Sequence, residues 1–240
     1  MSEAQIRERR LGWYRHASPQ QQAVAVAAHI VETLQRAIDQ RGRASLALSG
    51  GRGPALFLRQ LEQSSLAWEQ VSITLVDERW VPADDPQSNA GLIQRCMPGV
   101  LQRASWLPLY RGQELAADAD TAGAMLEALL PLDVVVLGMG EDGHTASLFP
   151  DMPGLDDYLS PQAGPLCIAV PAEGERLARL SMTARAICTA GVQLLVISGE
   201  NKLRTLDQAL QQQDARAMPI EAFLRPPMDI FYSPSGEQDR

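Results

Sequence analysis

The sequence is 240 residues long, with 45% hydrophobic and 21% charged residues, a composition that excludes a disordered chain, a collagen-like repeat and a disulfide scaffold. Its formal net charge of −8 argues against a nucleic-acid partner and against a basic membrane-surface protein, because both normally present clustered Lys and Arg. The length fits one α/β domain, and we expect a single domain over residues 1–240.

The first predicted element is an amphipathic helix. Ser18 and Pro19 are typical of an N-cap and a first helical position, and Gly42 is typical of a helix end. Apolar residues recur between them at helical spacing, and they are Val24, Ala27, Val31, Leu34 and Ile38. We expect these residues to form the apolar face of the helix.

Strands and helices then alternate along the chain. Short apolar runs predict strands over residues 44–48, 71–76, 133–137, 166–170, 193–198 and 229–232. Helical patterns begin at Pro54, after Ser88 and near Leu115, and the last continues to Leu130. A stretch rich in Gly and Pro over residues 150–165 predicts an irregular surface loop. The alternation predicts an α/β fold with a doubly wound, largely parallel sheet and helices on both faces.

The cysteines and the N-terminus bear on where the protein works. Cys96, Cys167 and Cys188 are widely spaced and contain no C-x-x-C pair, so they indicate neither a disulfide framework nor a zinc site. The first residues are charged and lack an apolar run, and no stretch approaches the roughly 18 apolar residues of a membrane span. We therefore expect a cytoplasmic protein with no membrane partner.

The segment after the strand at 44–48 contains Gly50, Gly51 and Gly53. Glycines let backbone N–H groups approach an anion, and the helix that follows adds its positive dipole end, so phosphate is the natural ligand. A purely structural turn is the alternative, because such turns are common between a strand and a helix. The segment lacks the third glycine of a dinucleotide fingerprint, and the chain contains no G-x-x-x-x-G-K-[ST] motif.

Three charged residues, Asp77, Glu78 and Arg79, follow the strand at 71–76. Arg79 can make paired hydrogen bonds to phosphate or carboxylate oxygens. A salt-bridged strand end is the alternative. Because the ends of parallel strands collect at one rim of a sheet, this segment and the glycine turn are expected to meet in one site.

His144 lies in the segment 137–150, which carries the strongest chemical signal and also follows a strand. Glycines and small polar residues surround it, rather than an apolar helical face, and Asp142 is close enough in sequence to orient its imidazole. We predict that His144 is catalytic, and the alternative is a turn histidine bonded to backbone. His16 and His29 are expected to be structural or solvated.

Lys202 follows the strand at 193–198. It is the only lysine in the chain, and the remaining Lys/Arg residues are all arginine. An arginine-biased genome explains that ratio, so the retained lysine only suggests a function.

These segments together resemble the 6-phosphogluconolactonase family, in order and in spacing, over roughly residues 20–230. Arg179-Leu180-Ser181-Met182-Thr183 and Gly199-Glu200-Asn201-Lys202 resemble two further family segments. The residues that carry the main resemblance are Ser49-Gly50-Gly51, Asp77-Glu78-Arg79-Trp80-Val81-Pro82, Ser88-Asn89 and Gly138-Met139-Gly140-Glu141-Asp142-Gly143-His144-Thr145-Ala146-Ser147-Leu148-Phe149-Pro150.

The resemblance implies hydrolysis of 6-phospho-D-glucono-1,5-lactone to 6-phospho-D-gluconate in the pentose phosphate pathway, on a Rossmann-like, NagB-type fold. It implies no metal, no cofactor and no nucleic acid, and either a monomer or a homodimer. His144 would take a proton from the attacking water, Asp142 would hold the imidazole and favour its protonated form, and Arg79 would take part in catalysis. The implied residues for binding substrate and phosphate are Ser49, Gly50, Gly51, Arg52, Asp77, Arg179 and Lys202.

Two departures from the family pattern bear on binding. Arg52-Gly53 stands where the family usually has Ser-Thr, which removes hydroxyl donors that could contact phosphate. Asp85 and Gln87 fall where the family often has His and Asp, so the role of those two positions differs from the pattern.

Three alternative functions would each require different sequence features. Glucosamine-6-phosphate deaminases share the sheet and the Asp-Gly-His element, but their motif continues differently from Thr145 to Pro150. A serine esterase needs a G-x-S-x-G elbow, which the chain lacks. A sugar-phosphate sensor would need the phosphate loop but not the Asp142 and His144 pair.

Overall fold

The computed structural model describes residues 3–51 and 53–234. The strands are β1 (Gly12–Arg15), β2 (Ala44–Leu48), β3 (Val71–Leu75), β4 (Asp77–Arg79), β5 (Ser105–Leu107), β6 (Val134–Leu137), β7 (Cys167–Val170), β8 (Arg179–Met182), β9 (Val192–Ser198) and β10 (Met228–Ser233). The α-helices are α1 (Glu3–Glu8), α2 (Pro19–Arg41), α3 (Ala55–Glu62), α4 (Asn89–Cys96), α5 (Pro98–Arg103), α6 (Leu115–Glu127), α7 (Leu155–Tyr158), α8 (Ala184–Ile187) and α9 (Glu200–Gln212). Short 3-10 helices span Trp68–Gln70 and Pro219–Phe223.

A seven-stranded sheet in the order β1-β10-β9-β6-β2-β3-β5 forms the centre of the fold. Every pairing between neighbours in this sheet is parallel. All residues of β2 and β6 are buried, as expected for strands covered on both faces. The predicted α/β fold with a largely parallel, doubly wound sheet is confirmed.

The strand order reverses direction between β2 and β6. From β2 the chain proceeds outwards to β3 and β5, and it then returns to β6 and proceeds the other way to β9 and β10. The loops that leave β2 and β6 therefore diverge and leave a crevice at the carboxyl ends of these strands. Ligands bind at such a switch point in open parallel sheets, so topology indicates where to look for a site.

The strand predicted at 166–170 exists as β7 but lies outside the large sheet. It pairs antiparallel with β8, and β8 pairs antiparallel with β4, in a separate three-stranded sheet. Apolar runs predict that a strand forms, but they contain no information about its partner. The short strands β1, β4, β5 and β8 were not predicted.

Helix α2 has the predicted ends, and Ala27, Leu34 and Ile38 are buried as predicted, but Val24 is not. The Ser18 hydroxyl accepts a hydrogen bond from the Gln21 backbone N–H at 3.2 Å, and Gly42 closes the helix with φ 71°. Val24 is 54% exposed, so its predicted place on the apolar face is wrong. The face that packs on the sheet is rotated away from it and consists of Gln22, Ala23, Val26, Ala27, Ile30, Thr33, Leu34, Ala37 and Ile38.

The predicted loop over residues 150–165 agrees with the fold at coarse scale. The predicted loop at 150–165 contains α7 and is otherwise irregular. Cys96 and Cys167 are buried free thiols, and Cys188 is half-buried and free. Within the part of the chain that the structure describes, no helix combines the length and apolarity that crossing a bilayer requires.

Candidate functional site

A cavity of about 1060 Å³ opens at the switch point of the large sheet. The segments after β2 and β6 form opposite parts of its wall, and the beginnings of α2 and α9 complete it. The sequence-predicted residues that line it are Ser49, Gly50, Gly51, Asp77, Arg79, His144, Arg179 and Lys202. One cavity thus brings together segments that are far apart along the chain.

The glycine turn after β2 forms one end of this cavity. Gly50 lies so close to Asn89 that a Cβ at residue 50 would be 1.8 Å from the Asn89 side-chain oxygen, so only glycine fits there. Ser49 is buried, and its Oγ has no hydrogen-bond partner among the described residues. A buried hydroxyl without a partner beside a cavity is suited to bind a polar ligand group. Arg52, predicted to bind phosphate, lies outside the described residues.

Asp77 is a buried carboxylate on the cavity wall, and it is held from three sides. Its Oδ2 accepts a hydrogen bond from the Ser147 hydroxyl at 2.7 Å and lies 3.6 Å from the Arg179 Nη1. The Asn89 amide donates to the Asp77 backbone carbonyl at 2.9 Å. Asp77 therefore connects the segment after β6, the small sheet and the beginning of α4 around the cavity.

Arg179 is positioned by this network on β8. Burial lowers the pKa of its guanidinium, and the nearby Asp77 carboxylate opposes that shift. Its Nη1 donates to the Ser147 hydroxyl at 3.5 Å, and its buried Nε has no partner within the described chain. Arg179 thus places a fixed positive charge at the cavity wall.

Arg79 is held through its own loop. Its Nη1 donates to the Gln87 backbone carbonyl at 2.6 Å, and Gln87 in turn donates its backbone N–H to Asp85 at 2.8 Å. The buried Nε of Arg79 has no hydrogen-bond partner in the described ranges. The two positions that depart from the family pattern therefore serve to orient Arg79, through a main-chain carbonyl and a turn carboxylate.

Glu78 points away from the cavity into the protein and caps α4. It is fully buried, and its carboxyl oxygens accept hydrogen bonds from the backbone N–H groups of Arg79, Asn89 and Ala90 and from the Ser88 hydroxyl. Burial raises the pKa of Glu78, and these hydrogen bonds oppose the rise. The carboxyl group holds β4 against the beginning of α4, which sets the direction of Arg79.

His144 and Asp142 form a close pair at the cavity. The His144 Nδ1 lies 2.6 Å from the Asp142 Oδ1, and the His144 backbone N–H donates to the same oxygen at 3.1 Å. A carboxylate cannot donate, so Nδ1 carries the proton and Nε2 of the neutral imidazole is an acceptor. This tautomer is the one that a general base requires.

The local backbone is folded to make that pair. The Gly140 N–H donates to the His144 carbonyl at 2.8 Å, and a Cβ at residue 140 would be 2.1 Å from the His144 Nδ1. Partial burial acts to raise the pKa of Asp142, but the hydrogen bonds and charge of His144 outweigh it and lower the pKa to about 2. Asp142 is therefore ionised throughout the pH range in which His144 can act as a base.

Lys202 lies in the first turn of α9 and lines the cavity. Among the described residues, none forms an ion pair with its ammonium group. Together with Arg79 and Arg179, it places positive charge around a cavity whose protein has a formal net charge of −8. Because distant charges are screened beyond about 8 Å at physiological salt, these nearby cations dominate the attraction of an anion.

The structure brings the predicted residues together with two exceptions. Asp142 does not line the cavity but contacts the His144 side chain, which does. Arg52 lies outside the described residues. His29 lies 3.3 Å from the Asp229 carboxylate and His16 stacks on Phe231 at 5.8 Å, so both make contacts elsewhere in the fold.

Three participants in the site were missed. Asn89 lines the cavity, Ser147 links Asp77 to Arg179, and Gln22 of α2 lies at the cavity wall. Gln22 stands in a run of three glutamines, and nothing in the sequence distinguishes it from Gln20 and Gln21. Ser147 and Asn89 lie in segments that carry the family resemblance, but their role was not predicted, because their partners are distant in sequence.

Within residues 3–51 and 53–234, no cluster of three or more His, Cys, Asp or Glu side chains has a geometry that could hold a metal ion.

Comparison with known proteins gives a consistent result. The family model described as glucosamine-6-phosphate isomerases/6-phosphogluconolactonase matches residues 17–230. A 6-phosphogluconolactonase of Pseudomonas aeruginosa is 43% identical over 220 residues, which cover 90% of this chain and 92% of the relative. One of Mesorhizobium japonicum is 40% identical over 241 residues, covering 98% of this chain and 100% of the relative. A crystal structure of a 6-phosphogluconolactonase from Shewanella baltica is 35% identical, with a TM-score of 0.87, and covers 94% of this chain and 98% of that one.

Proposed function

Because the chain belongs to the family of glucosamine-6-phosphate isomerases and 6-phosphogluconolactonases, we propose that it is a carboxylic ester hydrolase that opens 6-phospho-D-glucono-1,5-lactone to 6-phospho-D-gluconate. The observation that carries the proposal is the 2.6 Å contact between His144 Nδ1 and Asp142 at a cavity lined by Arg79, Arg179 and Lys202. A base and several cations beside one cavity suit water attack on an anionic ester.

In the proposed first step, His144 Nε2 takes a proton from water while the water oxygen forms a bond to the lactone C1. Asp142 holds the Nδ1–H and, being ionised, stabilises the imidazolium that results. The carbonyl π electrons move to the carbonyl oxygen, which becomes an oxyanion. We assign Arg79 to that oxyanion, because its side chain lines the cavity and its guanidinium is fixed by the Gln87 carbonyl.

In the second step, the tetrahedral intermediate collapses and the bond between C1 and the ring oxygen breaks. The imidazolium of His144 returns its proton to the ring oxygen, which becomes the C5 hydroxyl, and C1 becomes the carboxyl group of the product. The imidazole is then neutral again, so the cycle needs no other acid or base.

The phosphate end of the substrate belongs at the other part of the cavity in this proposal. The Ser49 hydroxyl and the backbone amides of Gly50 and Gly51 offer neutral donors, and Arg179 and Lys202 supply charge. Contacts of this kind act mainly on binding and on positioning the carbonyl. The residues in these roles are the ones that the family resemblance implied.

The same resemblance underlies two wider parts of the proposal, in which the product enters the pentose phosphate pathway and the working unit is a monomer or a homodimer. The cytoplasmic location predicted from the sequence is part of the proposal as well.

The decisive experiment is turnover of freshly generated 6-phosphogluconolactone, followed as acid release and compared with spontaneous hydrolysis in the same buffer. We expect a rate far above the background. A rate equal to the background would overturn the proposal and favour a sugar-phosphate sensor, whereas ammonia release from glucosamine 6-phosphate would favour the deaminase activity instead.

A further inference from the structure

Phe149 lies behind His144 and contacts three charged or titratable side chains at once. Its ring is 7% exposed, and its centroid lies 4.6 Å from that of the His144 imidazole at an interplanar angle of 39°. The Arg176 guanidinium carbon lies over the same ring at 3.8 Å from the centroid, and that of Arg179 at 5.4 Å. Phe149 thus touches both the proposed base and a cationic pair.

The imidazole needs such a contact because its only side-chain hydrogen bond among the described residues is made at Nδ1. Nδ1 is bound to Asp142, whose side chain is 51% exposed, and no hydrogen bond to Nε2 is formed among the described residues. A single hydrogen bond leaves the ring able to rotate about it. A buried aromatic ring at van der Waals distance removes that freedom, because rotation would bring the two rings into collision.

Arg176 lies against the Phe149 ring from within a tight loop. It lies at one end of a tight loop, in which Glu173 and Arg176 exchange backbone hydrogen bonds of 3.0 and 2.9 Å, and its guanidinium pairs with the Glu173 carboxylate. Its Nε is buried without a hydrogen-bond partner in the described part of the chain. An arginine free to reach solvent would satisfy that donor, so the contact with the ring and the ion pair with Glu173 together retain the side chain.

We propose that Phe149 and Arg176 are positioning residues for His144. Phe149 restricts the imidazole to the orientation in which Nε2 faces the cavity, and Arg176 fixes Phe149 by stacking on its ring. Neither side chain lines the cavity, so neither touches the substrate, and both act through His144. The inference rests on the proposed function, since it assigns these residues to the base of that reaction.

The first test compares Phe149→Leu and Arg176→Met with the wild-type enzyme. We expect kcat to fall about 10- to 100-fold for Phe149→Leu and less for Arg176→Met, with KM changed less than about twofold, because a misaligned base slows the chemical step without weakening binding. A KM effect as large as the kcat effect in either variant would contradict the proposal.

Two matched controls separate positioning from general packing. Phe231→Leu removes another buried phenyl ring, which is 2% exposed and does not line the cavity, and Arg216→Met removes an exposed pair in which Nε lies 3.3 Å from Asp156. Both controls should keep kcat per folded molecule, as measured after circular dichroism and thermal melting have established the folded fraction. If Phe149→Leu does not fold, the proposal is tested by comparing kcat per folded molecule between Arg176→Met and its control Arg216→Met.

The second test repeats both substitutions in a His144→Ala background. Positioning residues act through the imidazole, so they should cause no further loss of turnover once it is absent. An equal further loss in that background would overturn the inference and assign the two side chains a structural role. Wild-type turnover in His144→Ala itself would instead overturn the proposed function, so the two failures are distinguishable.

Discussion

At the scale of single residues, the His144 imidazole carries the chemistry of the proposed reaction. His144→Asn should lower kcat by about 10² to 10⁴-fold, the usual contribution of a positioned general base. Affinity for 6-phosphogluconate should be largely kept, because the phosphate contacts are elsewhere in the cavity, and titration calorimetry measures it. His29→Asn, in α2 and 3.3 Å from Asp229, is the matched control and should keep full turnover. Near-normal kcat in His144→Asn would show that another group is the base.

Asp142 should contribute its negative charge to the chemical step. Its pKa is lowered to about 2, so its carboxylate stays ionised down to strongly acidic pH and can stabilise the imidazolium that forms in the first step. Asp142→Asn removes this charge and should therefore lower kcat with little change in KM, as measured by steady-state kinetics on the lactone. The exposed Asp120→Asn is the control and should keep kcat. An unchanged kcat in Asp142→Asn would argue that the pair is only structural.

We predict that Lys202 binds the phosphate group of the substrate. Lys202→Ala should raise KM for the phosphorylated lactone by about tenfold or more, the usual value of a lost charged hydrogen bond, with a smaller fall in kcat. The deficit should be much smaller for unphosphorylated glucono-1,5-lactone. Arg204→Ala removes an exposed cation from the same helix and is the control. Equal losses on both lactones would show that Lys202 does not contact the phosphate.

At the scale of elements, the beginning of α4 sets the position of Arg79. Both carboxyl oxygens of Glu78 accept hydrogen bonds there, so Glu78→Gln turns a donor amide towards N–H groups and should destabilise the protein by roughly 1–3 kcal/mol in urea unfolding. Glu78→Gln should also lower kcat, because loss of the cap should displace Arg79. Glu62 caps α5 in the same way, through the N–H groups of Gly99 and Val100. Glu62→Gln should therefore lose stability but keep kcat. Loss of neither stability nor rate in Glu78→Gln would contradict this role for the cap.

At the scale of the whole molecule, the side chains offer no multidentate metal site over residues 3–51 and 53–234. The proposed chemistry generates its nucleophile with an imidazole and needs no Lewis acid. Incubation with EDTA followed by desalting should then leave turnover unchanged, and a control enzyme with a known zinc centre should lose its activity under the same treatment. Loss of turnover that zinc or magnesium restores would contradict the prediction.

The sequence by itself determined those features whose physical causes are local. Ser18-Pro19 and Gly42 act on the backbone groups next to them, so the ends of α2 were predictable. Short apolar runs determined that β2, β3 and β6 are strands, and alternation with helices determined that their sheet is parallel. Asp142 and His144 are two residues apart, so the turn that contains them suffices to bring them into contact.

Only the tertiary structure decided which distant groups meet. The face of α2 depends on the surface against which it packs, which is why Val24 is exposed, and β7 joined the small sheet because its hydrogen-bond partner is β8. The contact of Asp77 with Ser147 and the stack of Arg176 on Phe149 join segments with no shared local pattern. Hydrogen bonds and ring contacts act over a few ångströms in space, whatever the separation along the chain, and only the packing of the two sheets in the folded chain brings these segments within that range.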